Sequence, residues 1–165
     1  MKKKIIIYRY DDTGVFGYEY YRMENEETIG SISSMVLPQE SDCQISMNGK
    51  NYQSRFDENA TLIKGLRRSV LEQETGQVVG YIELSEWNTA YHLIVGDEVV
   101  EVEIYPDEMT FVFRDNPVAI IRHNESYTKE DEYGNMISSK YLAFLNVDIA
   151  NEIEMMILSF VALRF

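Results

Sequence analysis

Between Met155 and Leu163 the only polar residue is Ser159, in a closing segment that runs from Asp148 to Phe165. Ile153, Met155, Met156, Ile157, Leu158, Phe160, Val161 and Leu163 do not fall on one stripe of a helix. They go round the cylinder, as in a helix buried in a core or crossing a membrane. Length separates the two. A membrane span takes about 20 apolar residues to cross a hydrocarbon layer of about 30 Å. At about 1.5 Å per residue this run reaches roughly half that distance, so the segment reads as a core helix. Asn146 or Asp148 can cap it, Glu152 and Glu154 bring negative charge to its first turns, and Arg164 lies at its other end. That polarity suits the helix dipole. A helix apolar on every side has to be enclosed on every side. Two packed layers leave one face wet, so a sheet closed around the helix is the expected container.

Upstream of this helix the chain reads as short strands and turns. Lys3 to Tyr10 is rich in β-branched and aromatic residues and stops at Asp11-Asp12-Thr13-Gly14. Val15 to Met23 follows, then the acidic turn Glu24 to Glu27, then Gly30 to Leu37 before Pro38. Asn48-Gly49 carries the clearest turn signal, a dipeptide suited to a type I′ hairpin between Gln44–Met47 and Lys50–Phe56. Asp57 to Arg68 holds either a helical turn or a short strand around Leu62-Ile63. Ser69–Glu72 and Gln77–Leu84 flank Glu74-Thr75-Gly76, with Val78, Ile82 and Leu84 on one face and Gly80 among them. A glycine inside a strand marks a bend or a close approach. Tyr91–Val95 leads to Gly96-Asp97. Beyond it Val100, Val102 and Ile104 face inward, and Met109, Phe111 and Phe113 share a face. Asp115-Asn116 turns the chain into Val118–Arg122.

The 8–12-residue spacing of these runs is that of an antiparallel sandwich or barrel. Their one-sided polarity argues against a parallel sheet. Asn124 to Lys140 reads as a long polar loop, of a length usually functional or flexible, and Tyr141–Leu145 as the last strand.

Composition sets the remaining bounds. The 165 residues suit one domain spanning 1–165, and 45% hydrophobic with 12% aromatic residues is a globular balance. A net charge of −13 disfavours nucleic acid and anionic lipid, whose binding rests on Lys and Arg, and suits a well-solvated surface. The single cysteine, Cys43, permits no intramolecular disulfide and no cysteine-based metal cluster. Met1-Lys2-Lys3-Lys4 has the charge of a signal-peptide start, but the apolar run after it is only Ile5–Ile7. A secretory core needs about 7–15 apolar residues, so the expected compartment is the cytoplasm.

A barrel of short antiparallel strands threaded by an apolar C-terminal helix resembles the tubby-like domains, the plant LURP-one-related proteins and the phospholipid scramblases. The residues that carry the likeness are the hairpin Ser69–Glu72 to Gly76–Ile82, the ladder from Tyr91 to Arg122, and the ending Ile157–Phe165. The resemblance implies a mostly β fold, a closed antiparallel barrel of about twelve strands around the buried helix.

No serine-histidine-carboxylate, Cys-His, phosphate-loop or dinucleotide pattern is visible. His92 and His123 fall within strands and read as packed or surface residues, Cys43 as an inert small residue, and Trp87 as a packing residue. The carboxylates at Asp11-Asp12, Glu24–Glu27 and Glu130–Glu132 lack calcium-loop spacing and read as solvated turns, so neither metal nor other cofactor is expected. The best binding feature is the basic cluster Lys64, Arg67 and Arg68. By resemblance to tubby proteins, which bind phosphoinositide head groups through barrel Lys and Arg, it is the candidate ligand site. The expectation is a non-catalytic intracellular module for a protein or small ligand. A peripheral phospholipid-binding or scramblase-like protein is the alternative, opposed by the net charge, and an enzyme with a site near Glu130–Lys140 is a third.

Overall fold

The computed structural model describes residues 2–12, 14–35, 42–56, 66–84, 90–124, 126–130, 132–134 and 136–164. Among them the chain forms thirteen strands and one helix. In chain order these are β1 (Lys2–Asp12), β2 (Val15–Arg22), β3 (Thr28–Ser34), β4 (Cys43–Met47) and β5 (Lys50–Phe56). Next come β6 (Leu66–Glu72), β7 (Val78–Leu84), β8 (Tyr91–Val95), β9 (Glu98–Ile104) and β10 (Glu108–Phe113). The chain finishes with β11 (Asn116–His123), β12 (Thr128–Glu130), β13 (Met136–Asn146) and α1 (Asn151–Leu163).

Each strand from β1 to β10 pairs with the next in sequence, and β13 lies between β11 and β1. The β1–β13 pairing, from Lys2 opposite Asn146 to Tyr8 opposite Ser139, closes a ring of twelve antiparallel strands. β12 stands outside that ring, paired only with β13. Tight turns make the up-and-down path possible. Asn48 and Gly49 have φ of 51° and 79° between paired Met47 and Lys50, the two positive values a type I′ turn requires. The turn before β11 uses Arg114 and Asp115, also at positive φ, and Asn116 already belongs to the strand.

Every strand of the ring sends side chains into one apolar cluster, and α1 from Ile153 to Leu163 is buried within it. The helix therefore occupies the lumen of the barrel. Phe160 packs edge-on against Tyr91 and Phe111, with ring centroids 5.2 and 5.7 Å away. At Gly80 of β7 the neighbouring backbone comes close. A Cβ there would lie 2.4 Å from the Ile94 carbonyl oxygen and 3.4 Å from Met156 Cε of the helix. Among the described residues no helix is long and apolar enough to cross a membrane.

Four expectations change. Val78 points out, 45% exposed, because the ladder slips between Val70 and Leu71. The slip leaves Val79 to pack on the core instead. Ile104, the last residue of β9, stays 44% exposed although Val100 and Val102 of the same strand are buried. The helix begins after Ala150 with no side-chain cap, since Asn146 is still in the β13 ladder and Asp148 lies in the turn that follows. The segment expected as a long loop holds a hairpin, in which Thr128, Lys129 and Glu130 pair with Ser138, Ile137 and Met136.

That hairpin covers the outside of the barrel. Tyr127 and Ile137 pack on Ile6, Tyr8 and Leu142, together with Tyr21, Met23 and Phe144. β1 is thus apolar on both faces, with Ile5 and Ile7 toward the lumen and Ile6 and Tyr8 beneath the hairpin. Lys129 fastens the cover. Its ammonium is 2.9 Å from a Glu19 carboxylate oxygen, donates to the Tyr21 hydroxyl, and lies 3.8 Å from the centroid of the Tyr21 ring.

Candidate functional site

The basic residues singled out in sequence do not form one patch. Lys64 lies outside the described residues. Arg67 and Arg68 are consecutive on β6, so their side chains leave opposite faces of the sheet. Arg67 points outward and stacks on Tyr81, its guanidinium 3.6 Å from the ring centroid and its Nε 3.0 Å from Glu83 Oε1. Arg68 points into the barrel and is fully buried. Its Nη1 donates to Ser54 Oγ at 3.1 Å and to Cys43 Sγ at 3.7 Å, and its guanidinium lies 3.9 Å over the Phe56 ring. Burial lowers the Arg68 pKa and raises that of Cys43, with each group pulling the other back toward charge. A guanidinium remains a cation under such shifts.

The histidines are separated as well. His92 sits across from Glu83 and Glu101 on neighbouring strands, and His123 stands edge-on to Tyr141 at 5.8 Å between ring centroids. Trp87 lies outside the described residues, and so do the side chains of Asp11 and Asp12. Among the described residues no three metal-ligating side chains converge.

A different part of the molecule has the geometry of a site. Beside the start of α1, at the mouth of the barrel, lies a cleft of ≈ 560 Å³. Its basic lining comes from Lys2, Lys3 and Lys4 of β1 and Arg22 at the end of β2. Glu24 and Glu154 are its carboxylates. Ile5, Ile29 and Val147 supply apolar surface, and Asn48 and Asn151 supply amides.

Ring closure assembles this lining. Lys3 alternates in register with Ile5 and Ile7 and so faces the lumen, where its Nζ lies 2.5 Å from Glu154 Oε2 in the first turn of α1. Arg22 is directly opposite Ile5 and shares its face. The turn after β2 is tied down by backbone bonds from Met23 N–H to the Lys4 carbonyl and from Arg22 N–H to the Glu27 carbonyl. Asn48 N–H donates to the Ile29 carbonyl and holds the β4–β5 turn at the edge of the cleft.

The charges are unequally committed. Glu154 is buried and answered by Lys3, and Arg22 has an exposed partner in Glu27 at 3.6 Å. Lys2 and Lys4 are exposed on the rim. Of the four cations along the edge of the cleft, Lys3 and Arg22 share the lumen face, while Lys2 and Lys4 alternate to the other face of β1.

Comparison with protein-family models, with curated proteins and with solved structures found no match to this chain.

Proposed function

We propose that this chain is a non-catalytic binding module of the tubby-like, LURP-one-related barrel type, working in the cytoplasm and taking its ligand at the mouth cleft. The observation that carries the reading is the cleft itself, ≈ 560 Å³ bounded by Lys2, Lys3, Lys4 and Arg22. Small-molecule sites are commonly concavities of about 300–1,000 Å³ with a few convergent polar groups. The lumen is taken up by α1, which leaves the ends and the outer wall for recognition. A twelve-stranded ring closed round one apolar helix supports the choice of barrel type.

The test is a pooled-metabolite titration followed by amide chemical shifts and by the composition of the pool. Shifts centred on Lys3, Arg22, Asn48 and Asn151, with the pool unchanged, support the reading. Shifts centred elsewhere remove the cleft from it, and conversion of a pool component makes the chain an enzyme.

Phospholipid binding at a membrane surface is a second reading, favoured by the exposed Lys2 and Lys4 on the rim. Its test is sedimentation with phosphoinositide-containing vesicles against pure phosphatidylcholine vesicles. Salt-sensitive pelleting with the former alone favours this reading, and equal pelleting with both rejects it.

A further inference from the structure

We infer that the outer face of β7, β8 and β9 docks a basic amphipathic helix of a partner protein. This face shares no residue with the lining of the mouth cleft.

Alternation decides which side chains meet the partner. Ile82, Leu93, Val100 and Val102 are buried in the lumen, so Tyr81, Ile94, Val99 and Glu101 stand on the outer surface. Ile94 is directly opposite both Tyr81 and Val99, which makes one apolar row across three strands. Val99 is 46% exposed. The outward apolar residues of β1 and β13 lie under the β12 hairpin, whereas Tyr81, Ile94 and Val99 pack in neither apolar cluster.

The sign of the partner follows from the carboxylates left over beside this row. Two residues further along the strands, Glu83, His92 and Glu101 form a second row. Glu83 is taken by Arg67 at 3.0 Å. Glu101 is exposed and makes no ion pair among the described residues. Glu103, exposed on the same face, accepts from the neutral Tyr105 hydroxyl at 3.0 Å, which leaves its charge uncompensated. The net charge of −13 adds to the attraction for a cation and opposes a second copy of this chain.

The shape of the partner follows from the pairing. β7, β8 and β9 are hydrogen-bonded along both edges, so no strand can be added there and contact is through side chains. From Tyr81 to Val99 is two strand spacings, about 10 Å. A helix repeats an apolar side chain at i, i+4 and i+7 over about the same length. Laid across the strands, it sets that stripe on the apolar row, and lysines on its adjoining face reach Glu101 and Glu103.

The experiment uses the full chain and a synthetic alanine-rich peptide of about 18 residues, with leucines at i, i+4 and i+7 and lysines beside them. Two further peptides serve as comparisons, one with glutamate for every lysine and one of the same composition with the leucines dispersed round the helix. Binding is followed by calorimetry and located by amide shifts. The lysine peptide is expected to bind one per chain, more weakly at high salt, with shifts centred on Tyr81, Ile94, Val99 and Glu101. The glutamate peptide should not bind, and the dispersed peptide should bind more weakly. Val99→Ser is expected to weaken the lysine peptide about fivefold and Glu101→Lys about tenfold. Glu74→Lys, an equal charge change in the exposed turn before β7, should leave it unchanged. Lumen amide shifts retained in all three variants show that the fold is intact. Shifts centred elsewhere, the dispersed peptide binding equally well, or Glu101→Lys matching Glu74→Lys would overturn the inference. So would the absence of any shift with the lysine peptide. Self-association in sedimentation that Val99→Ser abolishes would replace the partner helix by a second copy and overturn it as well.

Discussion

Lys3 Nζ lies 2.5 Å from Glu154 Oε2, and this contact ties the first strand of the ring to the first turn of the helix inside it. The two residues are separated by most of the chain. Glu154 is buried, so its charge is costly without a partner.

Removing the lysine should therefore cost more than removing both charges. Lys3→Met is expected to lose about 2–4 kcal/mol, toward the lower end because the lysine is partly in water. Lys3→Met in a Glu154→Gln background should lose much less. Urea unfolding of the four proteins in the cycle measures this. Equal costs of Lys3→Met in the two backgrounds would show that the pair does not couple.

Phe160 has no route to solvent, being fully buried between Tyr91, Phe111 and the rest of the lumen. Phe160→Ala should cost about 3–5 kcal/mol, the usual loss for a large aromatic residue in a core. Phe160→Asp should abolish cooperative unfolding altogether. A soluble Phe160→Asp protein with a sharp thermal transition would contradict the enclosed helix.

Tyr20 offers a pH test. It is fully buried, its hydroxyl has no hydrogen-bond partner among the described residues, and burial first, then nearby tyrosines, push its pKa well above the ordinary 10.0. The folded chain therefore holds this proton more tightly than the unfolded chain. The resulting stability is fully present below pH 10 and is lost as the pH rises from there toward the folded-state value. Tyr18 and Tyr52 shift in the same direction, chiefly through burial. Tyr20→Phe should make the alkaline fall in stability shallower and gain about 1 kcal/mol at neutral pH by removing an unsatisfied hydroxyl. Denaturant midpoints of both proteins across neutral and alkaline pH decide it, and parallel curves would reject the assignment.

Lys129 holds the β12 hairpin against the outer wall through Glu19, Tyr21 and the Tyr8 ring, whose centroid is 5.0 Å away. Lys129→Met should speed amide exchange at residues 127–130 and 137–139 by about tenfold while leaving exchange in the lumen strands unchanged. Uniformly faster exchange would instead make the hairpin part of the main cooperative unit.

What was legible in the sequence was the enclosure. A helix with Ser159 as the only polar residue from Met155 to Leu163 demands apolar neighbours all round, and the ring supplies them. Alternation placed Val100, Val102, Met109 and Phe111 correctly, but it carries no account of a ladder slip, and that slip turned Val78 outward. The outer hairpin was hidden because its own residues are mostly polar. Its trace lay elsewhere, in the unbroken apolar run Ile5-Ile6-Ile7-Tyr8, which alternation alone cannot explain and burial on both faces does.

The mouth cleft was out of reach for a different reason. Its lining comes from residues around 2–5, 22–29, 48 and 147–154, which only ring closure brings together. Lys2, Lys3 and Lys4 had the look of a leader sequence rather than part of a site. One signal was there to be read: Lys3 has the same parity as Ile5 and Ile7, so it had to face the lumen and find a carboxylate there. Arg67 and Arg68 fail as a joint site by the same parity rule.

All twelve ring strands precede α1 in the chain, and the closing pair joins the first strand to the last one before the helix. During synthesis the wall leaves the ribosome before anything that can fill it. Until α1 follows, the inward residues of β1 to β11 have no permanent neighbour and the sheet has two open edges. Closure between Lys2–Tyr8 and Ser139–Asn146 spans most of the chain, a contact order that slows folding. Until α1 emerges, the unfilled wall presents apolar faces and unpaired edges of the kind that favour aggregation.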